Sequence, residues 1–262
     1  MGQTAYVDML GRQVDINFPP KRIVSLVPSQ SELLYDLGLE SEVVGITKFC
    51  IHPNDWFRTK TRIGGTKNVD LNKVAALQPD LIIANKEENV KEQIEAMSDF
   101  APVWVSDIND IAGSLRMIAA IGTLTGTENK ANHIANNIKK GFDGIRCREN
   151  KRVAYLIWHN PWMCAGGGTF IDNILEHMGW ENVFKEQTRY PVLTNHDFLN
   201  PAIDLFLLSS EPYPFKDKHI ALIKAVNPIA DVWLVDGEMF SWYGSRLLSA
   251  LTYLQGLIDA VQ

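Results

Sequence analysis

Residues 22–38 read RIVSLVPSQSELLYDLG, and this stretch decides the predicted fold class. It opens with a short apolar run rich in β-branched residues. A run without polar alternation is typical of a strand that is covered on both faces. The next four residues, Ser29 to Glu32, match a capping box, in which Ser29 caps a helix and Glu32 reaches back to its first turn. That helix would end at Gly38, and a buried strand followed at once by a helix begins a βαβ unit.

Short apolar runs of the same kind recur along the chain, each followed by a helical pattern or a loop. They lie at residues 22–27, 43–47, 80–84 and 103–106 in the first half, and at residues 153–158, 205–209 and 232–235 in the second. Continuous runs suit the strands of parallel sheets, and their alternation with helices implies right-handed crossovers. We therefore predict an α/β fold with two Rossmann-like lobes and mainly parallel sheets.

Two longer stretches carry a helical period, residues 110–124 and residues 128–147. The second has no proline, and its apolar stripe consists of Ala131, Ile134, Ile138, Phe142 and Ile145. We expect it to form one stiff helix that bridges the two lobes. The predicted domains are an N-terminal α/β lobe at residues 1–126, the bridging helix at residues 127–149 and a C-terminal α/β lobe at residues 150–262.

The bulk composition is that of a globular protein without a nucleic-acid partner. The chain has 262 residues and a formal net charge of −6, whereas nucleic-acid-binding proteins usually carry a basic face. No apolar run reaches the ~18 residues of a membrane-spanning helix. Cys50, Cys147 and Cys164 lack the spacing of a zinc site or a disulfide framework, so free thiols are expected.

The segments at and beyond the ends of the predicted strands are rich in aromatic, sulfur and charged side chains. Ligands of open α/β sheets bind beyond the carboxyl ends of the strands, so these segments predict a binding site between the lobes. The candidate ligand-binding residues are Phe49, His52, Trp56, Arg58, Lys86, Glu87, Trp158, Trp162, Glu211, Tyr213, Glu238, Met239, Phe240 and Trp242. Local packing is the alternative for any single aromatic residue among them.

A basic stretch lies within the same region, at Arg58, Lys60, Arg62 and Lys67. If these residues contact the ligand, they favour an anionic molecule or one with carboxylate or phosphate arms. The alternative is a solvated surface.

Sequence motifs for catalysis and for nucleotide cofactors are absent. The chain contains no GxGxxG, GxxxxGK[ST] or GxSxG sequence, and its histidines lack metal-binding spacing. The GGGT sequence at residues 166–169 offers N–H groups for an anion, but a tight turn before a helix is the favoured interpretation. Cys50 and His52 are close enough in sequence for a nucleophile–base pair. We predict no catalytic residue, no metal site and no intrinsic cofactor, with Cys50 or His52 as the only positions where a ligand's metal would be tested.

Three groups of motifs resemble the helical-backbone (class III) substrate-binding proteins of ABC transporters, which carry vitamin B12, haem and ferric siderophores. They are RIVSLVPSQSELL at residues 22–34, DLNKVAALQPDLI at residues 70–82, and GTF at residues 168–170 with GWENVF at residues 179–184. The resemblance covers nearly the whole chain in order. It implies two Rossmann-like lobes bridged by a helix, and a ligand held in the cleft between them.

Individual positions add detail to this resemblance. Tyr190, Glu238 and Phe240 fall where the family has comparable aromatic or acidic groups, and Tyr190 joins the candidate ligand-binding residues. Aromatic contacts to the corrin are replaced by Thr66 and Asn85. The glutamates by which the cobalamin-binding members dock on a permease are matched by Asn72 and His196, beside which Asp70 and Asp197 offer carboxylates.

The leading hypothesis is a monomeric substrate-binding protein that holds a bulky metal chelate for uptake by an ABC transporter. The resemblance implies the periplasm or the cell envelope. The amino terminus lacks a signal-peptide pattern, which predicts the cytoplasm if the chain is complete. The alternatives are a soluble enzyme that uses Cys50, His52 or Glu238 for acid–base chemistry, a chelate-handling protein without transporter docking, and an interaction protein whose cleft is filled by its own side chains.

Overall fold

The computed structural model describes residues 3–147 and 149–261. The strands are β1 (Gln3–Val7), β2 (Gln13–Asn17), β3 (Ile23–Ser25), β4 (Val43–Ile46), β5 (Thr61–Arg62), β6 (Leu81–Asn85), β7 (Val103–Ser106), β8 (Arg152–Trp158), β9 (Met163–Cys164), β10 (Glu181–Asn182), β11 (Leu205–Ser209) and β12 (Asp231–Val235). The helices are α1 (Pro28–Asp36), α2 (Asn54–Thr59), α3 (Leu71–Ala76), α4 (Lys91–Ser98), α5 (Ile111–Thr125), α6 (Glu128–Gly144), α7 (Phe170–His177), α8 (Asn195–Phe198), α9 (Asp217–Val226), α10 (Glu238–Ser241) and α11 (Leu247–Ala260).

Unit 1 is the first of two compact units, and it contains a five-stranded sheet in the order β5-β4-β3-β6-β7. All neighbouring strands of this sheet are parallel. Strands β3, β6 and β7 are buried along their whole length, as expected for a sheet covered on both faces. The strand order reverses direction between β3 and β6, so the loops after these two strands diverge and leave a crevice at the carboxyl edge.

Unit 2 contains a separate sheet in which β10, β8, β11 and β12 are parallel neighbours and β9 pairs antiparallel with β8. Its order reverses between β8 and β11, which places a second crevice at the carboxyl edge of this sheet. All seven predicted apolar runs form strands of the two sheets. The predicted α/β class with mainly parallel sheets is therefore confirmed.

Helix α6 is uninterrupted over Glu128–Gly144. It ends three residues before the predicted end at residue 147. Its last residue is Gly144, and glycine is a poor helix former. The division between the compact units falls inside this helix, because unit 1 includes residues up to Lys139 and unit 2 resumes at Lys140. No helix in the described part of the chain has both the length and the apolar character required to cross a membrane.

Two short segments belong to a different compact unit from their neighbours in sequence. Residues Trp242–Leu248 belong to unit 1 although the rest of the C-terminal region belongs to unit 2. Long-range bonds explain this, since Arg246 pairs with Glu32 and the Gly244 N–H donates to Ser114 Oγ. Residues Asn109–Ile111 belong to unit 2, where the Ile111 N–H donates to the Asn173 side chain.

The predicted capping box at the start of α1 is wrong. The helix begins at Pro28, its N-cap is Val27, and no side chain caps it. Proline suits the first turn because its missing N–H would have no partner there. Ser29 is buried instead of capping, and the Glu32 carboxylate bonds to Arg246.

The hairpin of β1 and β2 was not predicted. Its strands pair antiparallel from Gln3↔Asn17 to Val7↔Gln13 and form a sheet of their own. Among the residues of its two strands, only Val14 and Ile16 are buried. Such a sparse apolar pattern gives little signal for a strand.

Candidate ligand-binding site

An exposed tryptophan marks the crevice of the unit 2 sheet. Trp158 ends β8 and is 40% exposed. Its ring centroid lies 5.7 Å from that of Tyr213, which follows the neighbouring strand β11. Because large apolar rings lose solvation energy when exposed, an exposed ring at the carboxyl edge of a sheet is a candidate ligand contact.

Further rings pack behind this pair and form the unit 2 aromatic cluster. The cluster consists of Trp158, His159, Trp162, Tyr213, Phe215 and His219. Trp162 stacks on Phe215 with centroids 5.8 Å apart and packs edge-on against Phe198 at 5.2 Å. Both phenylalanines belong to the hydrophobic core of the unit. Trp162 therefore supports the cluster from below, while Trp158 presents a surface.

A chain of hydroxyl groups joins β8 to the loop after β11. The buried Tyr155 hydroxyl donates to Ser209 Oγ at 3.2 Å, and Ser209 donates to the Glu211 carbonyl oxygen at 2.5 Å. Burial raises the pKa of Tyr155 above its ordinary range. The Ser241 hydroxyl donates to the Glu211 carboxylate at 2.8 Å. The predicted ligand residue Glu211 is thus held in place by unit 2 itself, in the loop after β11.

Helix α10 carries three predicted ligand residues, which differ in exposure. Glu238 and Met239 are half-buried. Phe240 is fully buried, with its ring 4.9 Å from the ring of Tyr155. The assignment of Phe240 as a ligand contact is corrected, because its side chain belongs to the core.

Phe49 is the exposed aromatic residue at the carboxyl edge of the unit 1 sheet. It follows β4, and 49% of its surface is exposed. The Lys48 ammonium group lies 5.0 Å from the ring centroid. A Cβ atom at Gly65 would lie 3.2 Å from the ring, so this glycine lets the ring rest on the backbone. The arrangement presents a flat apolar surface beside a cation.

Polar side chains fill the unit 1 crevice and form the unit 1 polar network. The network consists of Gln30, Asn85, Asn89 and Ser106, all of which are buried. Asn85 donates to Ser106 Oγ at 3.0 Å and accepts the N–H groups of Glu87 and Glu88 at 2.8 and 3.0 Å. Gln30 donates to Ser106 Oγ. The crevice between β3 and β6 is therefore occupied by the protein's own side chains.

The predicted ligand residues near this network are charged and exposed. The Lys86 ammonium group pairs with Asp107 at 2.6 Å, and Glu87 lies beside it in the same loop. The Lys67 ammonium group bonds to the Glu87 carbonyl oxygen. These contacts hold the charged rim of unit 1 in place.

Trp56 on helix α2 was predicted to contact a ligand, and this assignment is corrected. Its side chain is 1% exposed and packs edge-on against Tyr35, with centroids 5.4 Å apart. Helix α2 is amphipathic. The Trp56 indole packs on the core, and Arg58 on the opposite side of the helix is exposed. The Lys60 ammonium group lies over the indole at 5.3 Å. Lys60 bonds to the carbonyl oxygen of Glu40, which precedes β4, so it extends toward the amino edge of the sheet.

Trp242 is buried within unit 1, between a histidine and an arginine. His52 packs edge-on against it at 5.6 Å, and the Arg246 guanidinium lies 5.1 Å from its ring. Arg246 in turn forms two bonds to Glu32, at 2.9 and 2.8 Å. Burial raises the pKa of Glu32, although the cation acts in the opposite direction. Trp242 is thus fixed by packing, and only 7% of it is exposed.

The structure gives no support to a nucleophile–base pair at Cys50 and His52. The Cys50 sulfur is fully buried and lies 3.1 Å from both Ser31 Oγ and Thr47 Oγ1. Burial raises the pKa of the thiol, which disfavours the reactive thiolate. Within the described residues, no group of three or more His, Cys, Asp or Glu side chains converges to hold a metal ion.

Two N–H groups of the GGGT turn at residues 166–169 bond to backbone carbonyl oxygens rather than facing an open anion site. The N–H groups of Gly166 and Gly167 donate to the carbonyl oxygens of Arg189 and Gln187. A Cβ atom at Gly167 would lie 1.9 Å from the Lys185 carbonyl oxygen, so only glycine permits this approach. These donors are occupied, which agrees with the favoured interpretation as a tight turn.

The remaining predicted residues lie at the surface. Tyr190 is half-buried. Asp70 caps α3 by accepting the Lys73 N–H at 3.1 Å, and this bond lowers its pKa. Asp197 accepts both the N–H and the hydroxyl of Thr194 at 2.7 Å. Their neighbours Asn72 and His196 are exposed.

The sequence interpretation missed His219. It lies in the first turn of α9 and is 1% exposed, yet its ring contacts Tyr213 and His159. A single histidine in an amphipathic segment carries no motif. The site role of such a residue becomes visible only when the loop after β11 and helix α9 are brought together.

Two surface depressions of unit 1 lie away from the carboxyl edge of its sheet. One, of about 460 Å³, borders β2 and the residues that enter β7. The other, of about 440 Å³, lies between the end of α1 and the start of α6. Ligands of this topology bind at the carboxyl ends of strands, so neither depression marks the expected site.

Comparison with known sequences identifies a family of binding proteins. The sequence profile of the periplasmic binding protein family matches residues 23–212. An uncharacterized ABC transporter substrate-binding lipoprotein, YvrC, of Bacillus subtilis (strain 168) is 30% identical over 209 residues, which cover 74% of this chain and 66% of the lipoprotein. The match thus spans just under two thirds of that relative. A vitamin B12-binding protein of Pectobacterium carotovorum is 24% identical over 255 residues, 92% of this chain and 90% of that protein.

Comparison with solved structures gives the same architecture. The periplasmic haem-binding protein RhuT of Roseiflexus sp. RS-1, in its apo form, superposes with a TM-score of 0.79 at 19% identity, covering 92% of this chain and 99% of RhuT. At that identity, the likeness shows the fold alone. Together with the profile match, it confirms the resemblance to substrate-binding proteins that the sequence motifs predicted.

Proposed function

Because the chain belongs to the periplasmic binding protein family, we propose that it binds a bulky metal chelate and delivers it to an ABC permease. The family consists of solute-binding proteins, so this chain is a solute-binding protein and not an enzyme. The chelate is its cargo rather than a resident cofactor. The candidate chelates are a corrinoid, a haem or a ferric siderophore.

The exposed ring of Trp158 beside Tyr213 is the observation that carries the proposal. The two rings lie at the point of the unit 2 sheet where the strand order reverses, 5.7 Å apart. Flat macrocycles such as corrins and porphyrins bury much area against aromatic rings. In unit 1, the exposed ring of Phe49 beside Lys48 supports the same ligand class.

The names of the relatives also support the proposed cargo. The Pectobacterium relative is a vitamin B12-binding protein, and the structural neighbour RhuT is a haem-binding protein. Thr66 and Asn85 stand where the sequence resemblance implies aromatic contacts to a corrin, and both are buried here. At the unit 1 edge, stacking on a ligand would therefore depend on Phe49 and not on these two positions.

The proposal extends to the partner and the location. We place the permease contact near Asp70, Asn72, His196 and Asp197, all of which have exposed surface. The Bacillus relative is a substrate-binding lipoprotein of an ABC transporter, and by analogy this chain would act in the periplasm or the cell envelope. We propose that it acts as a monomer.

The test is a titration of purified protein with cobinamide, cyanocobalamin, haemin and a set of ferric siderophores. Binding of at least one of these chelates is expected to quench tryptophan fluorescence at micromolar concentration, with free tryptophan as the inner-filter control. No quenching across the whole panel would reject the proposal.

Matched variants test whether the ligand binds at the carboxyl edge of the unit 1 sheet. Phe49→Ala is expected to weaken binding about tenfold, since an aromatic contact contributes ~1.5 kcal/mol. Phe100→Ala is its control, because Phe100 is similarly exposed (44%) but precedes the amino end of β7. Equal losses from the two variants would contradict a site at the carboxyl edge.

A further inference from the structure

Tyr213 and His219 share a hydrogen bond within the unit 2 aromatic cluster. The Tyr213 hydroxyl oxygen lies 3.1 Å from His219 Nε2. The imidazole ring is almost completely covered, at 1% exposure, and it packs against the rings of Phe215 and His159 as well. The direction of this hydrogen bond depends on which imidazole nitrogen carries the proton.

The start of helix α9 determines the position of that proton. The backbone N–H of Lys216, at the N-cap, donates to His219 Nδ1 at 2.9 Å. Helix N-termini leave such N–H groups without a partner inside the helix. The Lys216 carbonyl oxygen also lies 3.1 Å from Nδ1, and because it accepts the His219 backbone N–H at 2.8 Å, it does not need a proton from the imidazole to be satisfied. A proton on Nδ1 would face the Lys216 N–H and leave it without an acceptor.

The neutral imidazole therefore carries its proton on Nε2. Nε2–H donates to the Tyr213 hydroxyl oxygen, which acts as the acceptor in this bond. The phenol then directs its own proton away from His219. Tyr213 stands beside the exposed ring of Trp158 at the crevice of the sheet. The hydroxyl is thus set to donate where a ligand would lie.

We propose that His219 is a positioning residue that makes Tyr213 a hydrogen-bond donor to the ligand. It follows that the ligand presents an oxygen acceptor, a carboxylate or an amide carbonyl, at the rim of its flat face. The hydrogen bond from Tyr213 to a ligand rests on the proposed binding function. The tautomer of His219 is independent of any ligand.

Nitrogen-15 NMR of the ligand-free protein tests the tautomer directly. We expect the two His219 nitrogens to show a protonated Nε2 and an unprotonated Nδ1 near neutral pH. The signals are assigned by their loss in His219→Asn. A protonated Nδ1 would overturn the inference, because the Tyr213 hydroxyl would then donate to His219 instead of the ligand.

His219→Asn separates the two bonds of the imidazole. The asparagine Oδ1 occupies the place of Nδ1 and keeps an acceptor for the Lys216 N–H, but no group replaces Nε2–H. Tyr213→Phe keeps the ring and removes the donor. The probes are haemin and cyanocobalamin. We expect Tyr213→Phe to raise the Kd of the bound probe about tenfold, because it removes one hydrogen bond to the ligand. We expect His219→Asn to raise it about threefold, because the Tyr213 hydroxyl remains but is no longer oriented.

The double variant and a control complete the test. Because His219 acts through Tyr213, the double variant is expected to bind no more weakly than Tyr213→Phe alone. His177→Asn, in which an exposed histidine packed on Phe142 is replaced, should leave the Kd unchanged. Additive losses in the double variant would overturn the positioning role.

The outcomes distinguish this inference from the proposed function. If the wild-type protein binds neither haemin nor cyanocobalamin, corrinoid and haem binding are rejected, and the NMR result still decides the tautomer. If a probe binds and His219→Asn leaves its Kd unchanged, the positioning role is rejected while the binding function stands.

Discussion

The carboxyl edges of the two sheets share a topology and differ in chemistry. Both lie where the strand order reverses, between β3 and β6 in unit 1 and between β8 and β11 in unit 2. In unit 1 this point is filled by buried amides and hydroxyls around Asn85. In unit 2 it carries aromatic rings, of which Trp158 is exposed. The difference shows that one scaffold can use the same crevice to fix its loops or to present a binding surface.

Removal of Asn85 is expected to have the largest effect on stability. The buried side chain of Asn85 joins Ser106 to the N–H groups of Glu87 and Glu88, and Asn85→Ala removes all three of these hydrogen bonds. We expect a loss of about 3 kcal/mol in the free energy of unfolding, measured by urea denaturation. Asn72→Ala, at an exposed asparagine of the same unit, should change it little. A loss under ~1 kcal/mol at Asn85 would mean that the network does not fix the loops.

Two arginine–carboxylate pairs of similar geometry allow a second comparison between the units. Arg246 and Glu32 in unit 1 are 12% and 18% exposed, whereas Arg152 and Asp204 in unit 2 are 44% and 36% exposed. Arg246→Met is expected to cost about 2 kcal/mol in urea denaturation, because it leaves Glu32 as a partly buried charge without its partner. Arg152→Met should cost much less, since water screens that pair. Equal costs would contradict this contrast.

The two edges should also differ in their response to acid, because amides do not titrate and His219 does. Burial lowers the pKa of His219 from its ordinary value of 6.5, and the charges of His159, Lys218 and Lys216 act in the same direction. The Lys216 carbonyl oxygen near Nδ1 acts in the opposite direction, because it would accept a hydrogen bond from the protonated ring. Below pH 6.5 the unfolded chain therefore binds more protons than the folded one, and stability falls as the pH drops toward the folded pKa. Thermal unfolding at pH 7 and at lower pH should show a smaller acid loss in His219→Asn than in the wild type. If His219→Asn lost as much stability at low pH as the wild type, groups other than His219 would be responsible for that loss.

Trp158→Ala is expected to have the smallest effect on stability. Its ring is 40% exposed, and surface substitutions usually change the free energy of unfolding by no more than about 0.5 kcal/mol. Its effect should appear in ligand affinity instead, as a loss of about tenfold. Ile229→Ala, at a 91% exposed residue of the same unit, is the control for both measurements. A large loss of stability at Trp158 would show that the ring belongs to the core.

The strands could be predicted from the sequence because a strand that is buried on both faces consists of a continuous run of apolar residues. Runs such as residues 205–209 (LFLLS) are continuous and β-branched or apolar, and β11 is buried along its whole length. The bridging helix was equally readable, because its apolar stripe extends over several turns. The hairpin at residues 3–17 was missed since most of its side chains face solvent.

The site was only partly predictable, because local patterns place a residue in a loop without fixing its direction. Trp56 and Phe240 were expected beside a ligand and point into the core, whereas Trp158 has an exposed ring. Trp242 was grouped with the second lobe, yet residues 242–248 belong to unit 1 through partners far away in sequence. His219 gained its partner Tyr213 only through the packing of a loop on a helix.

The membership of residues 242–248 in unit 1 has a consequence for biosynthesis. The segment that completes the first unit is made after nearly all of the second. Chains fold from the amino terminus as they leave the ribosome. Most of unit 1 therefore emerges early, but Glu32 gains its partner only after Arg246 has been synthesised. During that interval the nascent unit exposes the surface that Trp242 will cover. A chain that stops before residue 242 would keep this surface open and become a substrate for chaperones and proteases.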